Sequence, residues 1–181
     1  MFNLSTKEVV LSIEKTPLSN LNGTYFQEYE NFFGKNFKLP DISDSESFKL
    51  EYQEHLPRRR LDYNDVIMRQ LKVFFMSSRI TKTLESKFKT DLSFDSVDIW
   101  IDDAGYQLHP HVDDSRIKLA LQIYLGENNV GTTLYNSAGE KLHTFSFENN
   151  KGYALLNTNY SFHGVEKVTR NGRTSLYARY S

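Results

Sequence analysis

The chain contains no cysteine. That excludes disulfides and removes thiolate from the possible metal ligands. It also has no excess of either charge. Twenty-two Lys and Arg face 23 Asp and Glu, a formal net charge of −1. No global field therefore calls for nucleic acid or for an anionic membrane. No run approaches the ~20 apolar residues of a membrane span. The opening MFNLSTKEVVLSIEK lacks a basic segment followed by an apolar one, so it does not read as a signal peptide. These absences together fit a cytoplasmic location. No phosphate-cradling glycine-rich loop, Ser-His-Asp constellation or internal repeat is present.

What the chain does have is aromatic bulk. Phe occurs 13 times and Tyr 11 times in 181 residues, enough large side chains to build a core. One domain, 1–181, is expected at this length. Its periodicity divides it into a mixed helical support region, 1–95, and a β core, 96–181. In the support region, Val9, Leu11 and Ile13 alternate with Val10, Ser12 and Glu14, a strand signal. Phe26, Tyr29 and Phe33 fall at helical spacing, with Gly34 as a stop. Residues 35–60 are polar and without clear period, and read as a long loop or mobile segment that either borders the substrate entrance and orders when substrate binds, or packs permanently as a coat over the helices. Within them Arg58-Arg59-Arg60 is of a kind that can touch phosphate, but at this net charge a solvated run is the expected reading. The best helical stripe is Ile67, Leu71, Phe74, Phe75 and Ser78, continued by Ile80, Leu84 and Phe88, with Asn64 or Asp62 as cap.

From about residue 96 the period becomes two. Val97, Ile99 and Ile101 alternate with Asp98, Trp100 and Asp102. Further strands are expected at 106–112, 117–125, 132–136, 141–147, 153–157, 163–168 and 174–180, with turn residues between them. Eight short strands at this spacing predict an α+β, mainly β fold: a jelly roll or similar barrel with N-terminal helices packed on it.

Chemistry concentrates at His111-Val112-Asp113. Residues two apart on a strand point to the same face. With His163 they form two imidazoles and a carboxylate, the facial arrangement of non-heme Fe(II) oxygenases. Three protein ligands leave coordination positions open, whereas a closed structural zinc site has four. His109 lies on the same predicted face and competes with His111 for the role. His-x-Asp alone is a common pattern; the downstream His163 and Arg173 give it weight. His143 reads as a solvated polar residue, and His55 has no local partner.

The segments Gly105–Asp114, Leu121–Leu125 and Asn159–Val165 resemble the 2-oxoglutarate- and Fe(II)-dependent oxygenases, and within them the small prolyl-hydroxylase-like branch. The resemblance covers roughly residues 96–181. It implies a double-stranded β-helix core with Fe(II) held by His111, Asp113 and His163. Arg173, ten residues after His163, matches the basic residue that pairs with the distal carboxylate of 2-oxoglutarate. An arginine fork suits a carboxylate. Tyr124 resembles a cosubstrate-binding tyrosine of the family, and Ser175, two residues after Arg173 and so on the same strand face, is a candidate hydroxyl donor. The implied activity is oxidation, typically hydroxylation, of a prime substrate by O2 with release of succinate and CO2. The prime substrate is a peptide side chain or a small molecule. Leu108 stands where many relatives have tyrosine, so a prolyl substrate is not carried over. Tyr106 and Gln107 are candidates for lining the pocket. Two other readings stay open: a non-enzymatic jelly-roll binding module, and a cupin-like metalloenzyme that does not use 2-oxoglutarate.

Overall fold

The computed structural model describes residues 4–37, 48–50, 57–62 and 66–181. Twelve strands and three helices are found among them. An eight-stranded antiparallel sheet faces a smaller four-stranded one. The large sheet runs β1 (Ser19–Leu21), β2 (Thr24–Tyr29), β10 (Gly152–Leu156), β7 (Leu119–Tyr124), β12 (Arg173–Tyr180), β5 (Phe94–Asp102), β4 (Arg58–Leu61), β3 (Phe48–Leu50). The small sheet runs β6 (Leu108–His111), β11 (His163–Val165), β8 (Thr132–Tyr135), β9 (Lys141–Thr144). All eight strands expected after residue 96 are present, the observed ones mostly shorter than their sequence patterns. Helices α1 (Thr6–Lys15), α2 (Val66–Phe75) and α3 (Ser78–Phe88) complete the set. None of the described helices is long and apolar enough to cross a membrane.

The period-two pattern explains how the large sheet is buried. Val97, Ile99, Leu119, Leu121, Ile123, Leu176 and Ala178 point to one face. There they meet Val9 and Ile13 of α1, Leu71 and Phe75 of α2, and Ile80 and Leu84 of α3 in one core. The opposite, concave face carries the intervening residues, which are polar at one end and aromatic at the other. Phe26, Tyr124, Phe145, Phe147 and Tyr153 form a second core between the sheets. That aromatic plug closes one end of the sandwich and leaves the other end for a site.

Three local expectations are corrected. Thr6–Lys15 is a helix, not a strand: Val9, Val10 and Ile13 share its buried face and Leu11 is exposed. Ser5 caps it by accepting the Glu8 backbone N–H at 3.3 Å, a Ser-x-x-Glu start that outweighs a three-residue alternation. Thr24–Tyr29 is a strand, not a helix, because pairing with β1 and β10 on both sides overrides its spacing. The stretch 35–60 is not simply a loop. Residues 38–47 and 51–56 lie outside the described residues, and so do His55, the cap expected at Asn64 and most of the proposed entrance loop. Yet Phe48–Leu50 and Arg58–Leu61 are strands, and the latter extends the large sheet by pairing with β5. Arg58-Arg59-Arg60 is therefore no solvated loop. Its residues are half-buried and ion-paired to Asp102, Asp103 and Asp98.

Candidate metal centre and carboxylate pocket

His111 ends β6 and His163 begins β11. The antiparallel register sets them directly opposite each other, with ring centroids 4.6 Å apart. Gly164 makes this approach possible. A Cβ there would sit 2.5 Å from the Leu108 carbonyl oxygen, so any side chain would part the two strands. Asp113 follows β6 by two residues. Its loop is braced by Asn157, whose Nδ2 donates to the carbonyls of Asp113, Asp114 and Ile117 at 3.2, 3.1 and 2.8 Å.

Each histidine is oriented by its own backbone. Nδ1 of His111 lies 3.0 Å from the His109 carbonyl, and Nδ1 of His163 lies 2.9 Å from the Ser161 carbonyl. A carbonyl only accepts, so Nδ1 carries the proton and Nε2 keeps its lone pair. Both Nε2 atoms point to Asp113 Oδ1, at 3.5 and 3.7 Å. The second carboxylate oxygen accepts from the Tyr177 hydroxyl at 2.9 Å. Ligand atoms of all three residues lie within 4.8 Å of one another. Three atoms bound at ~2.1 Å to one centre stand ~3.0–3.6 Å apart, a spacing that the two histidine–Asp113 distances already approach. Two neutral nitrogens and one carboxylate fit a divalent first-row metal. His109 is exposed and contributes its carbonyl instead of its ring.

Electrostatics agree with that role at His163 and Asp113. Burial pulls the His163 imidazole below its ordinary range and so keeps it neutral. Hydrogen bonding to Asp113 pushes His111 up, with burial opposing. Burial opposes ionisation of Asp113, but His111, His163 and Tyr177 together hold its carboxyl below the usual range.

The three residues open on a cavity of about 250 Å³ shared with Arg58, Trp100, Tyr106, Gln122, Arg173 and Arg179, among others. Arg173 is fully buried. Its Nε donates to the Val130 carbonyl at 2.6 Å, Nη1 to Asp102 at 2.6 Å and Nη2 to Thr132 at 3.3 Å. Asp102 is shared, because its other oxygen accepts Arg58 Nε at 2.6 Å. Strand register lays Arg173, Asp102 and Arg58 in one row across β12, β5 and β4. Two guanidiniums on one carboxylate leave one unit of positive charge on this row.

The remaining sequence candidates sit beside the cavity. Tyr124 does not line it; its hydroxyl accepts the Thr132 N–H at 2.9 Å. Ser175 accepts from Gln122 Nε2 at 3.0 Å, one bond behind the wall. Gln122 in turn accepts from Tyr153 and Thr132 at 2.6 and 3.0 Å. Tyr106 lines the cavity, whereas Gln107 is exposed and does not. The Tyr106 hydroxyl is buried without a hydrogen-bond partner among the described residues, and burial pushes its pKa up to about 12, against the pull of Arg58. His143 is half-buried against Phe26 and Phe145 and lies 2.9 Å from Glu28. Asp102, Tyr177, Gln122, Thr132 and Arg58 went unseen in the sequence. The alternation of Asp98, Trp100 and Asp102 on one strand face was the one available hint: carboxylates on an inward face need cationic partners.

No family model matches the chain, and no curated protein matches it. Solved structures do. A 2OG-Fe(II) oxygenase family oxidoreductase from Burkholderia pseudomallei aligns over 97% of this chain and 77% of its own, at 14% identity and TM-score 0.54. A prolyl-4-hydroxylase from Pseudomonas putida aligns over 97% and 98%, at 13% identity and TM-score 0.55. AviO1 from Streptomyces viridochromogenes aligns over 99% and 96%, at 10% identity and TM-score 0.54. The chain therefore has the jelly-roll fold of the 2-oxoglutarate-Fe(II) oxygenases.

Proposed function

We propose that this protein is an Fe(II)- and 2-oxoglutarate-dependent dioxygenase that oxidises a prime substrate with O2 and releases succinate and CO2. One observation carries the reading: two imidazole nitrogens and a carboxylate converge on the cavity whose wall holds a buried arginine. His111, Asp113 and His163 are the metal ligands in this reading. When bound, Fe(II) and 2-oxoglutarate supply the oxidising power and the carboxylate that is lost as CO2. The chain binds, orients and excludes water. Arg173 receives the distal carboxylate of the cosubstrate through guanidinium hydrogens that Asp102, Val130 and Thr132 leave unused. Tyr124 and Ser175 act at one remove, by fixing Thr132 and Gln122 on the cavity wall. Tyr177 holds the outer oxygen of Asp113, so that the inner one faces the histidines.

The pairing of Arg173 with Asp102 favours one alternative, a metalloenzyme that does not use 2-oxoglutarate. The charge left over by Arg58 argues against it. Anaerobic calorimetry decides. The wild-type protein binds one Mn(II) per chain, then 2-oxoglutarate, and the aerobic Fe(II) protein forms succinate. Mn(II) binding with no heat from 2-oxoglutarate would establish the alternative.

A further inference from the structure

Arg58 opens the arginine run that the sequence reads as solvated, and it comes from a strand outside the expected β core. It uses Nε on Asp102. Its two terminal nitrogens have no hydrogen-bond partner among the described residues. Its guanidinium lies over the Trp100 ring at 4.4 Å and over the Tyr106 ring at 4.6 Å. The side chain is still 21% exposed, so it faces both the cavity and solvent. Beneath it is the partnerless Tyr106 hydroxyl. A buried hydroxyl without a partner is destabilising, because it has lost water and gained nothing in return. At about 12 its pKa keeps it a donor at any ordinary pH. Across Trp100, Arg179 adds a third guanidinium to the cavity, 3.0 Å from Asp98 and 34% exposed.

Two independent features thus ask for the same partner. One is a positive charge in excess of its carboxylate, and the other is an orphaned donor beside it. An acceptor-rich anion satisfies both. In the reading above, the cosubstrate's distal carboxylate goes to Arg173, on the inner side of Asp102. Arg58 is on the outer side of the same row, towards the sheet edge. Resting on that reading, we propose that the prime substrate carries an anionic group, a carboxylate or a phosphate, which binds to Arg58 and the Tyr106 hydroxyl, with Arg179 adding to the attraction.

Trp100 is the chain's only tryptophan, lies under Arg58 and lines the shared cavity, so with Mn(II) and 2-oxoglutarate already saturating, a further change in its emission reports the added anion. The experiment uses anaerobic protein loaded with Mn(II) and saturating 2-oxoglutarate, each shown beforehand by calorimetry to bind. Inorganic phosphate and acetate are then titrated separately at constant ionic strength, while Trp100 emission is followed. The expected result is a saturable change for at least one of them, and the stronger arm names the group. Arg58→Gln weakens that anion at least tenfold and 2-oxoglutarate by less. Tyr106→Phe, which keeps the ring, weakens the anion a few-fold and covers the case in which Arg58→Gln does not fold. Three outcomes overturn the proposal: no saturable response with 2-oxoglutarate bound, displacement of 2-oxoglutarate by the anion, or wild-type affinity in both variants. Failure of Mn(II) or 2-oxoglutarate to bind in the preliminary calorimetry would instead defeat the oxygenase reading.

Discussion

At the scale of single residues, the proposed metal centre rests on three side chains and the contacts that aim them. His111→Ala, Asp113→Ala and His163→Ala should each abolish tight Mn(II) binding. His109→Ala should not, because only the carbonyl at that position is used. Tyr177→Phe deletes one hydrogen bond to Asp113 and leaves the ring in place. Partners of this kind are worth ~10–100-fold in metal affinity, so a Mn(II) titration should show a loss in that range with little change in melting temperature. An unchanged affinity would mean that the carboxylate is held by its loop alone. Arg173→Ala should weaken 2-oxoglutarate about ten- to a hundredfold, the ~1.5–3 kcal/mol of a charged hydrogen bond, and weaken Mn(II) far less. Arg173→Lys should recover part of it. Asp102→Asn strips the shared carboxylate from two arginines, one of them fully buried. Breaking such a buried pair costs ~3–5 kcal/mol, and chemical denaturation should register a loss of that order.

At the scale of elements, the critical contact is the β6–β11 pair that sets His111 against His163. Gly164→Ala should force these strands apart, because its Cβ meets backbone on the partner strand. Overpacking of this sort costs ~1–3 kcal/mol. The readouts are a lowered melting temperature and Mn(II) affinity reduced at least tenfold. If affinity holds while stability falls, the histidine pair does not depend on this close approach. The β elements were legible because alternation is a direct image of a sheet with one face in the core, as at Val97, Ile99 and Ile101. The grouping of His111, Asp113 and His163 was expected from His-x-Asp and the downstream His, although Asp113 lies in the loop after β6 and not on the strand. The misread elements share a cause. α1 and β2 are short, and each was decided by something beyond its own period: a cap at Ser5 in one case, two flanking strands in the other. β4 was hidden because three consecutive arginines look solvated until the acidic neighbours on β5 are known. The cation row was invisible for the same reason, since Arg58 and Asp102 are 44 residues apart and meet only through strand register.

At the scale of the whole molecule, helices cover one face of the large sheet, an aromatic cluster fills one part of the space between the sheets, and the polar cavity occupies another. Binding there should stabilise the fold globally. A ligand at a hundredfold its Kd contributes ~2.7 kcal/mol. For a chain of this size, that raises the melting temperature by roughly 5–10 °C. Mn(II) with 2-oxoglutarate should produce a shift of this size, and the His163→Ala protein should show none. The backbone anchoring of the two imidazoles has a consequence for how this sequence can drift. A peptide carbonyl is supplied by every residue type, so the choice of coordinating nitrogen at His111 is insured against substitution at position 109, whose exposed ring has no other described role. A site wired this way prescribes few letters of the alphabet beyond the ligands themselves. That is one physical route by which a fold shared over nearly the whole chain coexists with the 10–14% identity seen among its structural neighbours.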